Sequence, residues 1–231
     1  LDALARIDPV PQINGPAPNV SAPDSAVARD PDVQRAAQST VRVIGTACGY
    51  GIEGSGWVAS NGIVVTNAHV VAGEVDTAVQ TLGTGPQLAA QAIWFDAKND
   101  LAILYVPGLI APALQLITET AKGTSGAVIG YPLNGPLDIQ PARIGATTTV
   151  VSDDIYGGGP ITRRMTTFRG TVRHGNSGGP IVDEAGRVRT TVFAAKSDSD
   201  NTRGYGVPGE QIAEALGQAD VNRAVTTGGC T

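Results

Sequence analysis

What this chain has little of narrows its class. Sixteen Lys and Arg against 21 Asp and Glu leave a net charge of −5 and a pI near 4.9. Phosphate-binding surfaces need clustered cations, so nucleic acid is excluded as a partner. The basic doublet Arg163-Arg164 is expected on a solvated loop. No apolar run approaches the ~20 residues of a membrane-spanning helix, and the segment reads as soluble. Charged residues at 16% and aromatics at 4% are scarce, while 30 glycines accompany abundant Val, Ala and Thr. That balance suits short strands joined by turns. A chain of 231 residues forms one or two domains around a substantial core.

Helix- and sheet-forming residues are also sparse at the start. Pro9, Pro11, Pro16, Pro18 and Pro23 punctuate residues 1–29, which read as an extended linker. A linker implies something upstream, either a membrane anchor or a second domain. Cysteine is limited to Cys48 and Cys230. Two free buried thiols are one reading; a disulfide is the favoured one, because Cys230 sits in T-T-G-G-C-T near the last residue, where nothing else would bury it. Closing so long a loop contributes about 4–5 kcal/mol in the chain-entropy model, less any strain, and implies an oxidising compartment.

Asp30-Pro31-Asp32 reads as a helix start, with Asp30 as cap and Val33, Ala36 and Ala37 as a short apolar stripe. Strands are expected around Val41–Ile44, Trp57-Val58 and Ile63–Thr66, the last two joined by the hairpin pair Asn61-Gly62. Further strands are expected at 75–81, 88–94, 101–106 and 114–116, making an N-terminal unit over residues 30–118. A second unit over 119–231 carries strands at 126–131, 139–144, 147–152, 165–167, 181–182, 188–193 and 205–207. An amphipathic helix around Ile212 and Leu216 follows. The expected fold is all-β: two six-stranded antiparallel β-barrels, short terminal helices, and a site in the cleft between the barrels.

The run R-H-G-N-S-G-G-P over residues 173–180 sets Ser177 among glycines. Alone it is compatible with a plain turn. Activation of a serine needs a base, and one of only two histidines, His69, ends a strong strand in T-N-A-H-V-V. Asp100, in N-D-L-A-I-L, precedes a strand that reads as buried, and a buried carboxylate needs a partner. Orienter, base and nucleophile are thereby all available. Asp96 is a rival orienter, set aside because Trp94-Phe95-Asp96 looks like a strand end and turn.

T-N-A-H-V-V, N-D-L-A-I-L and G-N-S-G-G-P, in the order His, Asp, Ser, together with G-S-G-W-V and S-N-G-I-V-V-T, resemble the chymotrypsin-like (trypsin-fold) serine proteases. The wording is closest to the bacterial HtrA-type branch and covers about residues 39–215. The order separates the chain from α/β-hydrolases and subtilisin-like enzymes. Cys48 and Cys230, the proline-rich entry and T-T-V-F-A-A are similar to a membrane-tethered periplasmic mycobacterial subgroup associated with acid resistance.

The resemblance implies a serine endopeptidase acting on polypeptides. His69 is general base then acid, Asp100 its orienter and Ser177 the nucleophile, and the oxyanion hole lies at Gly175, Asn176 and Ser177. Thr171 falls at the base of the primary substrate pocket, with Thr191, Val192, Phe193 and Ala194 along a wall; the neutral Thr171 argues against a strict requirement for Arg or Lys. Arg173 and His174 lie beside Ser177 and read as substrate contacts or, the favoured reading, as solvated rim residues. Neither cofactor nor metal is expected. The implied setting is extracytoplasmic, tethered to the inner membrane by an upstream part, with a monomeric domain supporting acid or envelope stress resistance. The alternative is a latent or inactive protease-fold binding module; a small-ester hydrolase is a further rival. Asn176 stands where many zymogens carry the Asp that pairs with a newly cut N-terminus, so activation by that insertion is not expected. No PDZ domain follows before Thr231, so trimer formation and peptide sensing are not carried over. The glycine-hinged stretch Ser152–Arg164 is either a mobile surface loop or an activation loop. Imidazole titrates near pH 6.5, so work in acid requires either neutral surroundings or a depressed pKa.

Overall fold

A computed structural model describes residues 12–13, 15–196 and 202–231. Residues 1–11 of the proline-rich opening, with Pro9 and Pro11, lie outside the described residues. Strand β1 (Gln12–Ile13) pairs in parallel with residues 195–196, so part of the segment expected as linker joins a sheet. Helix α1 (Pro31–Ala36) starts as its residues dictate: Asp30 accepts from the Asp32 N–H at 2.8 Å, and Pro31 occupies the first turn, where its missing N–H costs nothing.

The N-terminal sheet contains β2 (Thr40–Ala47), β3 (Tyr50–Ser60), β4 (Ile63–Thr66), β5 (Ala78–Thr81), β6 (Gln87–Ala89), β7 (Gln91–Asp96) and β8 (Leu101–Tyr105), ordered β6-β5-β2-β3-β4-β8-β7. Between β3 and β4 the Asn61-Gly62 turn forms as expected, with Gly62 at φ +71°. Short helix α2 (Ala68–Val71) follows β4. The C-terminal sheet holds β1 with β9 (Ser125–Gly130), β10 (Asp138–Ser152), β11 (Ile161–Gly170), β12 (Pro180–Asp183), β13 (Val188–Lys196) and β14 (Arg203–Pro208). Because β13 pairs with both β12 and β14, six of these strands complete a circuit of pairings. The N-terminal sheet shows no such closure among the described residues. Helix α3 (Gly209–Gln218) buries Ile212 and Ala215.

Each sheet therefore has seven strands where six were expected. The run 88–94 divides at Ala90 into β6 and β7, which pair with different neighbours, β5 and β8. Leu114–Leu116 forms no strand beyond a bridge from Leu116 to Val188. The strands expected at 139–144 and 147–152 are one, β10, whose register slips between Ile144 and Thr147. Such an irregularity absorbs the extra residues and lets the strand continue.

Pairing of β10 with β11 extends to Ser152 opposite Ile161, so the long loop expected over 152–164 shrinks to 153–160. Arg163 consequently lies in a strand and is only 6% exposed, contrary to the solvated loop expected for it. Neighbouring strand residues face opposite sides. Arg163 stacks 4.8 Å from the Phe193 ring and donates to the Lys98 carbonyl at 3.1 Å, while exposed Arg164 pairs with Glu210.

Cys48 and Cys230 form a disulfide, their Cα atoms 6.3 Å apart. The tail it anchors runs against the N-terminal sheet, with Val225 donating to Ala92 (2.9 Å) and Gly73 to Thr227 (3.2 Å). Across the two sheets, the fully buried Trp57 of β3 donates through Nε1 to Thr191 Oγ1 of β13 at 2.9 Å. No helix among the described residues is long and apolar enough to cross a membrane.

Candidate active site

Strand β4 delivers the chain to Asn67 and then to His69 on α2. Asn67 donates through Nδ2 to the Asp100 carbonyl at 2.7 Å, joining α2 to the turn before β8. Asp100 has φ +56°, a left-handed conformation that Asp tolerates better than most residues. From there its carboxylate meets His69 twice: Oδ1 accepts the His69 backbone N–H at 2.9 Å, and Oδ2 lies 2.6 Å from Nδ1. The carboxylate can only accept, so Nδ1 carries the proton and Nε2 is left as the basic nitrogen. His69 and Asp100 are 7% and 1% exposed, and in such surroundings an unpaired carboxylate would be costly. Asp96 does none of this: it accepts from the N–H groups of Lys98 and Asn99 and from Asn99 Nδ2, closing the turn below.

Ser177 comes from the other sheet, on the loop between β11 and β12. Gly175 (φ +88°) and Gly178 (φ +82°) take left-handed conformations there, and a Cβ on Gly178 would stand 2.0 Å from the Ser55 carbonyl oxygen. Only glycine satisfies both conditions at 178. Asn176 accepts the Arg173 N–H through its side chain (2.8 Å) and donates its own N–H to the Arg173 carbonyl (3.0 Å), so it shapes the turn. Gly178 N–H donates to Val192 at 2.8 Å, and Val192 N–H to Gly179 at 2.9 Å, aligning the loop with β13. Ser177 Oγ is buried and makes no hydrogen bond among the described residues, so its contact with His69 is not closed in this structure. Catalytic contacts are commonly open before substrate binds.

Two residues that sequence reasoning left without a role come into view. Ser55, within G-S-G-W-V, touches the Ser177 loop from the buried middle of β3. Glycines packed tightly on both sides of it were the available clue: a Cβ at Gly54 would lie 2.7 Å from Val70, and one at Gly56 2.8 Å from Val64. Arg163 is the second. Burial holds its guanidinium below its ordinary pKa, and Asp100, then Asp154, Asp96 and Asp153, oppose that shift, which puts a buried cation in the electrostatic neighbourhood of Asp100. No clue in sequence marked it.

The residues expected to line a substrate pocket differ in their surroundings. Thr171 opens onto a cavity of about 290 Å³ with Pro23, Pro141, Arg169, Gly170 and Thr202. Thr191, Val192, Phe193 and Ala194 are buried in the core instead. Arg173 pairs with Asp138 at 3.5 Å. Among the described residues no group of three or more His, Cys, Asp or Glu is arranged to hold a metal.

Two β-sheets that bring a buried His–Asp pair beside a glycine-flanked serine define the class: a chymotrypsin-like peptidase fold. Residues 54–189 match the family model described as a trypsin-like peptidase domain, and the chain belongs to that family of serine proteases. It is 38% identical over 215 residues to the serine protease Rv3671c of Mycobacterium tuberculosis, covering 91% of this chain and 53% of that one. The chain thus spans about half the length of that curated relative. A DegP-like periplasmic serine endoprotease of Halomonas elongata is 33% identical over 138 residues, 58% of this chain and 28% of that one. Among solved structures, the active form of the Rv3671c protease superposes with a TM-score of 0.87 at 36% identity, covering 95% of this chain and 97% of that one. The HtrA-type protease AlgW with a tripeptide gives a TM-score of 0.70 at 26% identity, covering 84% and 63%.

Proposed function

We propose that this domain is a serine endopeptidase that cleaves envelope or secreted polypeptides through Ser177, His69 and Asp100. The observation that carries the reading is the buried contact of 2.6 Å between His69 Nδ1 and Asp100 Oδ2, made in a chain of the trypsin-like family. Asp100 holds the tautomer in which Nε2 is the base. On substrate binding, Nε2 takes the Ser177 Oγ proton while Oγ attacks the scissile carbonyl carbon. The resulting oxyanion is received by backbone N–H groups of the 175–177 turn; the Ser177 N–H makes no other hydrogen bond among the described residues. Collapse expels the amine, which takes its proton from His69, and leaves an acyl-enzyme on Ser177. A water deprotonated by His69 then releases the acid.

The wider setting follows from the same reading. A disulfide across 182 residues suits an oxidising compartment, as does likeness to a periplasmic relative. We place the domain outside the cytoplasm, acting as a monomer, with its two halves at 30–118 and 119–231 forming one protease unit. It would be tethered to the membrane through a preceding segment and serve resistance to acid or envelope stress.

Intact-mass analysis after treatment with a serine-directed fluorophosphonate, followed by peptide mapping, tests the reading. A single adduct on Ser177, lost in Ser177→Ala, is expected. A folded chain that takes no adduct at neutral or mildly acidic pH overturns it in favour of a protease-fold binding module.

A further inference from the structure

Ser55 is fully buried, and its hydrogen bonds run in several directions at once. Its N–H donates to the Ser177 carbonyl at 2.8 Å. Its hydroxyl accepts the Tyr131 N–H at 2.9 Å and donates its one proton to the Gly175 carbonyl at 2.6 Å. Tyr131 can only donate through its N–H and the Gly175 carbonyl can only accept, so the orientation of the hydroxyl is fully determined. Its carbonyl accepts from Thr66 Oγ1 at 2.7 Å, and Thr66 is the last residue of β4, three before His69. One residue thus touches the loop that carries the serine and the strand that leads to the histidine.

Three glycines make room for it. A Cβ on Gly178 would stand 2.0 Å from the Ser55 carbonyl oxygen, one on Gly130 2.8 Å from its Oγ, and one on Gly179 3.3 Å from its Cβ. Side chains at those places would push the β3 backbone away from the loop.

We propose that Ser55 is a positioning residue for the nucleophile loop: from the N-terminal sheet it sets the orientation of the Gly175–Asn176 peptide and of the Ser177 carbonyl. Through them it sets where Ser177 Oγ and the neighbouring N–H groups point. This rests on the serine-endopeptidase reading above. Ser55 touches neither substrate nor the reacting atoms; it acts through Gly175 and Ser177. Its loss takes one hydrogen bond from the Gly175 carbonyl and one from the Tyr131 N–H, which loosens the hold on the 175–176 peptide.

The test compares the whole chain with Ser55→Ala, Ser55→Thr and a control, Val79→Ala, which opens a void in β5 remote from the loop. Ser55→Ala is expected to slow fluorophosphonate labelling of Ser177 and to lower kcat by about 10-fold or more, in the range seen when a transition-state donor is misplaced, with KM within about two-fold. The pH of the acid limb should not move, because the His69–Asp100 contacts are untouched. Ser55→Thr, which keeps the hydroxyl, is expected to recover most of the rate, and Val79→Ala to lower Tm without slowing labelling. Amide hydrogen exchange at 175–179 should quicken in Ser55→Ala alone. Wild-type labelling rates in Ser55→Ala, or a loss matched by Val79→Ala at equal Tm, would overturn the role. A wild type that takes no label sinks the endopeptidase reading instead, and unchanged exchange at 175–179 in Ser55→Ala then overturns the positioning role independently.

Discussion

The two halves of the molecule hold the proposed catalytic side chains by different means. In the N-terminal half, His69 and Asp100 sit at the edges of regular elements and bind each other twice, at 2.9 and 2.6 Å, with Asn67 clamping the turn between them. In the C-terminal half, Ser177 rides a loop whose geometry depends on two left-handed glycines and on bonds reaching to β3 and β13. His69 and Asp100 are held together by one sheet, whereas Ser177 is placed by agreement between two. Changes in the first half should therefore alter chemistry with the loop intact, and changes in the second should alter the loop.

The sharpest cut is Ser177→Ala, which removes the proposed nucleophile: peptide hydrolysis should fall by about 10⁶-fold, to the residual rate that binding and the oxyanion hole still support, with Tm unchanged. Asp100→Asn breaks the preassembled half. An amide in place of the carboxylate favours the tautomer with the proton on Nε2, and kcat should fall by about 10⁴-fold, while hydrogen exchange across 175–179 stays as in the wild type. A disturbed loop in Asp100→Asn would erase the distinction between the halves.

Removing the disulfide with Cys48→Ala and Cys230→Ala is next. Freeing a 182-residue separation should cost about 5 kcal/mol in the chain-entropy model, less any strain, read as a lower urea midpoint. Since the tail packs on β7 and the turn after α2, amides of the N-terminal sheet should lose protection first. Gly178→Ala attacks the conditional half: φ +82° and a contact of 2.0 Å with the Ser55 carbonyl should destabilise the loop and abolish labelling. Gly123→Ala, at φ +92° with nothing within 4 Å, carries only backbone strain, about 1 kcal/mol, and should label normally.

The smallest effect concerns pH. Burial raises the Glu74 carboxyl from 4.5 to about 7, with the Thr77 hydroxyl opposing and Asp76 reinforcing the shift. A raised carboxyl favours its protonated form in the folded chain. Its stabilising contribution is fully present below the unfolded value of 4.5 and is lost as pH rises through about 7. Chemical denaturation from pH 4 to 8 should show this decline in the wild type and a flatter profile in Glu74→Gln. Equal slopes would remove Glu74 as the source.

Much of the frame was legible in the chain itself. Asp30-Pro31 starts a helix by capping, Asn61-Gly62 turns a hairpin with Gly62 at positive φ, and the three motifs around His69, Asp100 and Ser177 announce a family. Other features were not. Arg163 and Arg164 are adjacent and alike, yet one is buried against Phe193 and the other exposed; the register of β10 and β11 decides which. That Thr171 borders a cavity while Thr191–Ala194 are buried was likewise not legible in the chain. Ser55 stood in a quoted motif without a role, because every partner that defines it lies 76 or more residues away or in the adjacent strand.

The sequence by itself determined the kind of residue available at each place: a capping Asp, turn glycines, one histidine after a strong strand, a serine with room around it, and two cysteines at opposite ends. Tertiary structure alone decided which of them meet. It set Asp100 rather than Asp96 against His69, buried Arg163, and fastened the Ser177 loop to Ser55. Local propensities act over a few residues, whereas hydrogen bonds and close packing across two sheets join residues that the chain holds far apart.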